Sequence, residues 1–243
     1  MTSSPEAEEA VPSQNSRMGG LIIRRKCWTL TLRAKLLVVI LLVAAVGVLV
    51  WGIHPFLAVR DPVPASVLII EGWSPPYTMK QAAAEFLAGG YQTVIVLRPA
   101  FDIGDKYESG RYSGDFVAAL LVEHGVPKER VNTLFPNVVR KDRTYHSALA
   151  AKEWLARQSL AIKSLDVATL GPHARRSRLL YEKAFGDEVK IGIIPLDDIE
   201  YEPVHWWRSS EGVREVIGES IAYLYARLLF HPSVADSSQE PMK

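Results

Sequence analysis

The sequence predicts an α/β domain on a doubly wound, mostly parallel sheet, preceded by one N-terminal transmembrane helix. Three observations carry this. Eighteen uncharged residues, Leu36 to Ile53 (LLVVILLVAAVGVLVWGI), form one unbroken apolar run. Downstream, short apolar runs alternate with stretches of helical composition. Those short runs are apolar throughout, as strands are when helices cover both faces of a sheet.

The apolar run comes first in the chain. At about 1.5 Å rise per residue it spans roughly 27 Å, close to the hydrocarbon thickness of a bilayer. Arg17, Arg24, Arg25, Lys26, Arg33 and Lys35 precede it, and no acid occurs between Glu9 and Asp61. Positive charge stays on the cytoplasmic side, which predicts a cytoplasmic N-terminus and an extracytoplasmic main domain. Trp28 and Trp51 bracket the run as interfacial aromatics do. A cleaved secretory signal is the competing reading. Its apolar core is usually shorter, and no clean small-x-small site follows here. The expected location is the inner membrane of a bacterium, crossed once.

The domain organisation follows. Residues 1–16 are polar, acidic and without periodicity, which predicts a disordered cytoplasmic tail. Residues 17–60 hold the basic flank, the span and a linker. Residues 61–231 are one globular domain, and 232–243 a second disordered tail. A net charge of +1 over 243 residues argues against a nucleic-acid partner. The only cysteine, Cys27, precedes the span, so the main domain has neither a disulfide nor thiol chemistry.

The domain elements are predicted in order. Ser66–Ile70 is a buried strand, followed by Glu71-Gly72-Trp73. Tyr77–Ala88 is a helix stopped by Gly89-Gly90. Thr93–Leu97 is the second strand, ending at Arg98 in a long polar loop. Ser113–His124 is a helix, and Val131–Leu134 a short strand. Asp142–Gln158 is a long helix with Asp142 or Thr144 as N-cap. Ser164–Leu170, His173–Phe185, Val189–Ile194 and Ser210–Phe230 complete the series, with Ser210 as the last N-cap.

In such folds ligands bind at the carboxyl ends of the strands, near a switch point in strand order. Candidate residues are therefore those that follow each strand. Glu71 is a carboxylate at an apolar strand end, read either as an acid/base or ligand group or as a capping or ion-paired acid. Gly72 allows close backbone approach or simply makes a turn, and Arg98 is an anion contact or a solvated cation. Arg143, Thr144 and His146 sit at a helix start, where N–H groups and the macrodipole favour anions. His173, Arg175 and Arg176 begin a helix where a strand stops, and basic residues at that end oppose the dipole. That placement favours a role toward a ligand, with histidine exchanging protons and guanidinium binding phosphate or carboxylate. The paired Trp206 and Trp207 wall a pocket, pack in the core or touch the bilayer. No metal-binding motif and no dinucleotide or P-loop signature occurs, so neither a metal nor a nucleotide cofactor is expected.

The blocks VLIIEGW, DRTYHSALAAKEWL, VATLGPHARRSRLLYEKAF and WWRSSEGVREVIGESIAYLY resemble successive blocks of the SanA/YdcF/ElyC-like family of bacterial envelope proteins. The resemblance covers roughly residues 64–229. It implies a single-span inner-membrane protein with an extracytoplasmic Rossmann-like domain, associated with barrier maintenance and with peptidoglycan or lipid-carrier metabolism. It further implies site roles for His173, Arg176, Thr144 and Glu211. The chain looks like a divergent branch, with Glu71-Gly72-Trp73, Arg98-Pro99 and His146-Ser147 where the family has other residues.

Taken together these residues predict a pocket for an anionic, phosphate- or pyrophosphate-bearing envelope precursor, free or lipid-linked. Arg143, Arg175 and Arg176 would hold the anion, and His173 would move the proton. Glu71 or Glu211 would orient that histidine or a water, and Trp73 would line the pocket. The activity expected is that of a metal-independent hydrolase or transferase. The alternative is a non-catalytic module that binds a nucleotide-like or anionic small molecule and regulates envelope assembly.

Overall fold

The computed structural model describes residues 29–97, 114–136, 141–158 and 162–232. It also describes the backbone of Ser16–Arg17 and Ile22–Ile23, which pair antiparallel. Arg98, most of both tails and the long polar loop lie outside the described residues.

Backbone proximity divides the chain into two units, 1–47 and 48–243. Helix α1 (Leu32–Leu57) begins in the first unit and ends in the second. It is long and apolar enough to cross a membrane, with a mean hydropathy of 3.1 over its most apolar window and none of that window buried. The second unit begins at Val48, inside α1 and ahead of residue 61. The reason is packing: Leu57 is fully buried among Tyr201, Trp206 and Val216, and Val50 and Ile53 lie against the same cluster.

The second unit carries five strands: β1 (Val67–Glu71), β2 (Thr93–Leu97), β3 (Val131–Leu134), β4 (Ser164–Leu170) and β5 (Lys190–Leu196). All neighbours pair parallel, in the order β3-β2-β1-β4-β5. This is the doubly wound, Rossmann-like order, with its switch point between β1 and β4. The helices of the domain are α2 (Met79–Gly89), α3 (Gly114–Glu123), α4 (Arg143–Arg157), α5 (Ala174–Phe185) and α6 (Ser210–Leu228).

Alternation along β1 sorts the two layers. Val67 and Ile69 join the core made with α4, α5 and the end of α6, and Leu68 and Ile70 join the core made with α2 and α3. Helices therefore cover both faces, which explains why β1 is buried at every position.

The elements fall close to their predicted bounds, and the shifts have physical causes. β1 runs one residue further than expected, so Glu71 is a strand residue paired with Leu97. β5 continues through Pro195, which cannot donate to a ladder but is tolerated because β5 is an edge strand. Asp61 bridges to Ile193 on the open side of that edge. The N-cap of α6 is Ser209, whose side chain accepts from the Gly212 N–H, while Ser210 donates instead to Glu211. Asp142 occupies the N-cap position of α4 in the left-handed region, at φ 50°, and makes no side-chain capping bond.

Candidate active site

The ends of β1 and β4 bring a polar cluster to the switch point. Glu71 closes β1 on the face shared with Val67 and Ile69, which points it at α5. Its Oε2 accepts from Thr169 Oγ1 of β4 (2.5 Å), Ser177 Oγ of α5 (3.1 Å) and Trp73 Nε1 (3.3 Å). The carboxylate is 3 % exposed, and these three donors offset the cost of taking it out of water.

His173 follows β4 directly, in a turn of 3₁₀ helix (Gly171–His173) that leads into α5. It is buried, and the Trp73 ring meets its imidazole edge-on at 4.7 Å. On one side its Nδ1 lies 2.9 Å from Glu219 Oε1 and 2.8 Å from Arg176 Nη2. Arg176 in turn grips Glu219 with both Nε (2.7 Å) and Nη2 (2.9 Å). On the other side His173 Nε2 lies 3.4 Å from Glu71 Oε2 and, among the described residues, makes no hydrogen bond.

Those distances allow two arrangements of the neutral ring, besides the charged ring with both nitrogens protonated between Glu219 and Glu71. A carboxylate only accepts and a guanidinium only donates, so Nδ1 cannot bond both at once. With the proton on Nδ1, it donates to Glu219 and Nε2 presents a lone pair. With the proton on Nε2, Nδ1 accepts from Arg176 and Nε2–H is available to give. The site can therefore offer a base or an acid at the same atom.

The electrostatics follow from burial and pairing. Burial alone would raise the Glu219 carboxyl, but the His173 and Arg176 charges and hydrogen bonds outweigh it and hold the group well below the usual carboxylate range. Glu215, one turn earlier on α6, is pushed up by its burial and by the neighbouring Glu219 charge. Tyr181 is pushed well above the usual phenol range by burial and the Glu71 charge, and its hydroxyl has no hydrogen-bond partner among the described residues.

The predicted residues thus separate into groups. Glu71, Trp73, His173 and Arg176 come together. Gly72 is buried in the turn beside them. Glu211 does not join: it is at the exposed start of α6, and the carboxylate that meets His173 is Glu219, two turns later. Arg175 turns away, donating to the Phe56 carbonyl and lying 3.9 Å over the Phe56 ring. Arg143 is exposed, and Thr144 and His146 half-buried, at the start of α4, with His146 edge-on to Tyr145 at 5.8 Å. The charge of Asp142, next to Arg143, acts on Arg176, which brings the start of α4 to the margin of the cluster.

Three members were missed from the sequence. Thr169 is a polar residue ending an apolar strand, and Ser177 is one helical turn beyond His173. Both carried a usable signal. Glu219 carried one too: Glu211, Glu215 and Glu219 repeat every fourth residue along α6, and only tertiary packing selects the third.

Beside the cluster lies a cleft of about 250 Å³, lined by His54, Gly171, Leu196, Asp198, Tyr201 and neighbours. His54 Nε2 is 3.1 Å from Tyr201 Oη, and Tyr77 Oη donates to Asp198 at 2.8 Å. Gly171 belongs to the turn that carries His173, so the cleft opens at the same end of the sheet. One wall is the last turn of α1. Among the described residues no group of three or more His, Cys, Asp or Glu is arranged to hold a metal ion. No protein-family model matches the chain, and no curated protein matches it either.

Proposed function

We propose that this is a membrane-anchored protein of the bacterial envelope, a divergent relative of the SanA/YdcF/ElyC-like proteins. In this reading α1 crosses the inner membrane once, and the extracytoplasmic domain processes a phosphate- or pyrophosphate-bearing precursor by acid/base chemistry at His173. The single observation that carries it is His173 Nε2, buried at the switch point and, among the described residues, without a hydrogen bond, while Glu219 and Arg176 fix the other ring nitrogen. A buried polar atom is normally satisfied, so an oriented and unsatisfied one is a group held ready for a substrate.

Each residue then has a task. Glu219 and Arg176 are positioning residues that set the ring and its tautomer. Nε2 takes the proton from an attacking water or hydroxyl and returns it to the leaving oxygen. Anion recognition falls to the start of α4, where Arg143, Thr144 and the helix N–H groups lie together. The cleft walled by the last turn of α1 supports a lipid-linked precursor, because a headgroup leaving the bilayer would meet it first.

The full chain, reconstituted in nanodiscs, is titrated with inorganic pyrophosphate and with a polyprenyl pyrophosphate while phosphate release is followed. The reading expects binding and release of phosphate, with release abolished in His173→Gln and binding retained. Binding without release would make the protein a non-catalytic binding module. Binding of neither probe would overturn the reading.

A further inference from the structure

Helix α6 turns an apolar stripe outward. Val213, Ile217, Ile221, Leu224 and Leu228 follow one another at spacings of four, four, three and four, which places them on one face, and each is 40 to 65 % exposed. Single exposed apolar residues are ordinary, but an unbroken row of five on one helix is not. The three acids of α6 are all excluded from it, Glu219 being turned inward to Arg176 and His173. Arg214 and Arg227 flank it, both exposed.

The inner face of the same helix rests on the last turns of α1. Val216 packs with Leu57, Tyr223 meets Phe56 edge-on at 5.7 Å, and the turn before α6 donates from Trp206 Nε1 to the Val50 carbonyl at 3.0 Å. Trp207 meets Trp51 at 5.0 Å. Val50, Trp51 and Ile53 belong to the apolar run that ends at Ile53. If that run crosses a bilayer, its last residues lie at the membrane surface, and whatever is bonded to them is held at that depth.

We propose that the outer face of α6 is a bilayer-docking surface, seated in the interface of the membrane that α1 crosses. The proposal rests on the reading of α1 as an uncleaved span. The five apolar side chains enter the acyl boundary, Arg214 and Arg227 reach lipid phosphates, and Trp51 and Trp207 occupy the headgroup level. A lipid surface fits better than a protein partner because the same helix is bonded through its inner face and the preceding turn to the end of the membrane run, and the charged side chains nearest the row on α6 are Arg214 and Arg227. Docking would hold the strand-end cleft at a fixed height above the membrane.

The test uses the full chain with Cys27→Ser, in vesicles of neutral and anionic phospholipid. Ile221→Cys, Leu224→Cys, Val43→Cys and Lys128→Cys are made one at a time and labelled with an environment-sensitive fluorophore. The expected result is a blue shift at 221 and 224 with loss of emission to shallow nitroxide-labelled lipids, comparable loss at 43 to deep ones, and none at 128. Quenching at 43 with none at 221 and 224 overturns the docking surface and leaves the anchor standing. Absence of quenching at 43 overturns the anchor, and the docking surface with it. A blue shift at 221 without lipid quenching, with Ile221→Cys forming disulfides between chains, overturns the proposal in favour of a second copy.

Discussion

The two ends of the central strands each bury a carboxylate, and they treat it differently. At the amino end, Asp166 of β4 is fully satisfied: Oδ1 accepts from the Val63 N–H at 2.9 Å and Oδ2 from Tyr91 Oη at 2.5 Å. Gly192 on β5 makes room for it, since a Cβ there would stand 1.8 Å from Asp166 Oδ1 and 2.7 Å from the Val63 nitrogen. At the carboxyl end, Glu71 is also buried and well supplied with donors, yet among the described residues the histidine beside it has one nitrogen without a hydrogen bond. The closed network ties a linker, two strands and a loop together. The open one spends its donors and acceptors on holding a single ring. Burial is common to the two ends; what differs is how completely the buried polar atoms are hydrogen-bonded.

The largest effect that would sharpen this contrast is at Glu219. Glu219→Gln leaves the half-buried Arg176 and the buried His173 without that anion, and should cost about 3–5 kcal/mol, the range for removing one partner of a buried pair. Chemical denaturation of the full chain in detergent measures it. A loss below about 1 kcal/mol would mean that the cluster is solvated like an exposed pair.

At the amino end, Gly192→Ala should cost about 1–3 kcal/mol, because the added Cβ forces Asp166 off the Val63 N–H. It should leave any phosphate release per folded molecule unchanged. Equal stability with altered turnover would reverse the assignment of the two ends.

Acidification should separate them by sign. Glu219 is depressed in the folded protein, so its stabilisation is full above its ordinary value of 4.5 and is lost as pH falls below it. Asp166 is raised by burial against the bonds from Tyr91 and Val63, so its contribution is fullest below its ordinary 3.8 and declines as pH rises through the folded value. Melting curves from pH 6 downward should therefore show a shallower acid-side loss in Glu219→Gln and a steeper one in Asp166→Asn than in the parent. Parallel curves would contradict both assignments.

The smallest effect is at Tyr181. Its buried hydroxyl has no hydrogen-bond partner among the described residues, so Tyr181→Phe should be neutral or stabilising by up to about 1 kcal/mol. A clear loss of stability would reveal a partner for that hydroxyl.

Much of this fold is legible in the sequence because its signals are local. The strands VLII and TVIVL are apolar runs of strand length, and Gly90 at φ 71° stops α2 as its sequence suggests. The strand order is not local, and with it goes the identity of the switch point. At the site, His173 and Arg176 share a helix face three residues apart and could be paired from spacing. Glu71 could be suspected from its place at a strand end. Glu219 could not be preferred to Glu211, since an acid in a first turn suits the dipole wherever it points. Spacing sets Arg176 beside His173, but that Arg175 is held by the Phe56 carbonyl and ring depends on a long-range contact that the sequence does not show.

In the proposed function His173 Nε2 is the atom that meets the ligand. ¹⁵N-histidine-labelled full chain in nanodiscs, with His173→Gln to assign the resonance, reports it directly. On addition of a polyprenyl pyrophosphate the His173 Nε2 signal should shift saturably while Nδ1, held by Glu219 and Arg176, moves little. Saturable binding that leaves His173 Nε2 unmoved would contradict the account and place the ligand elsewhere.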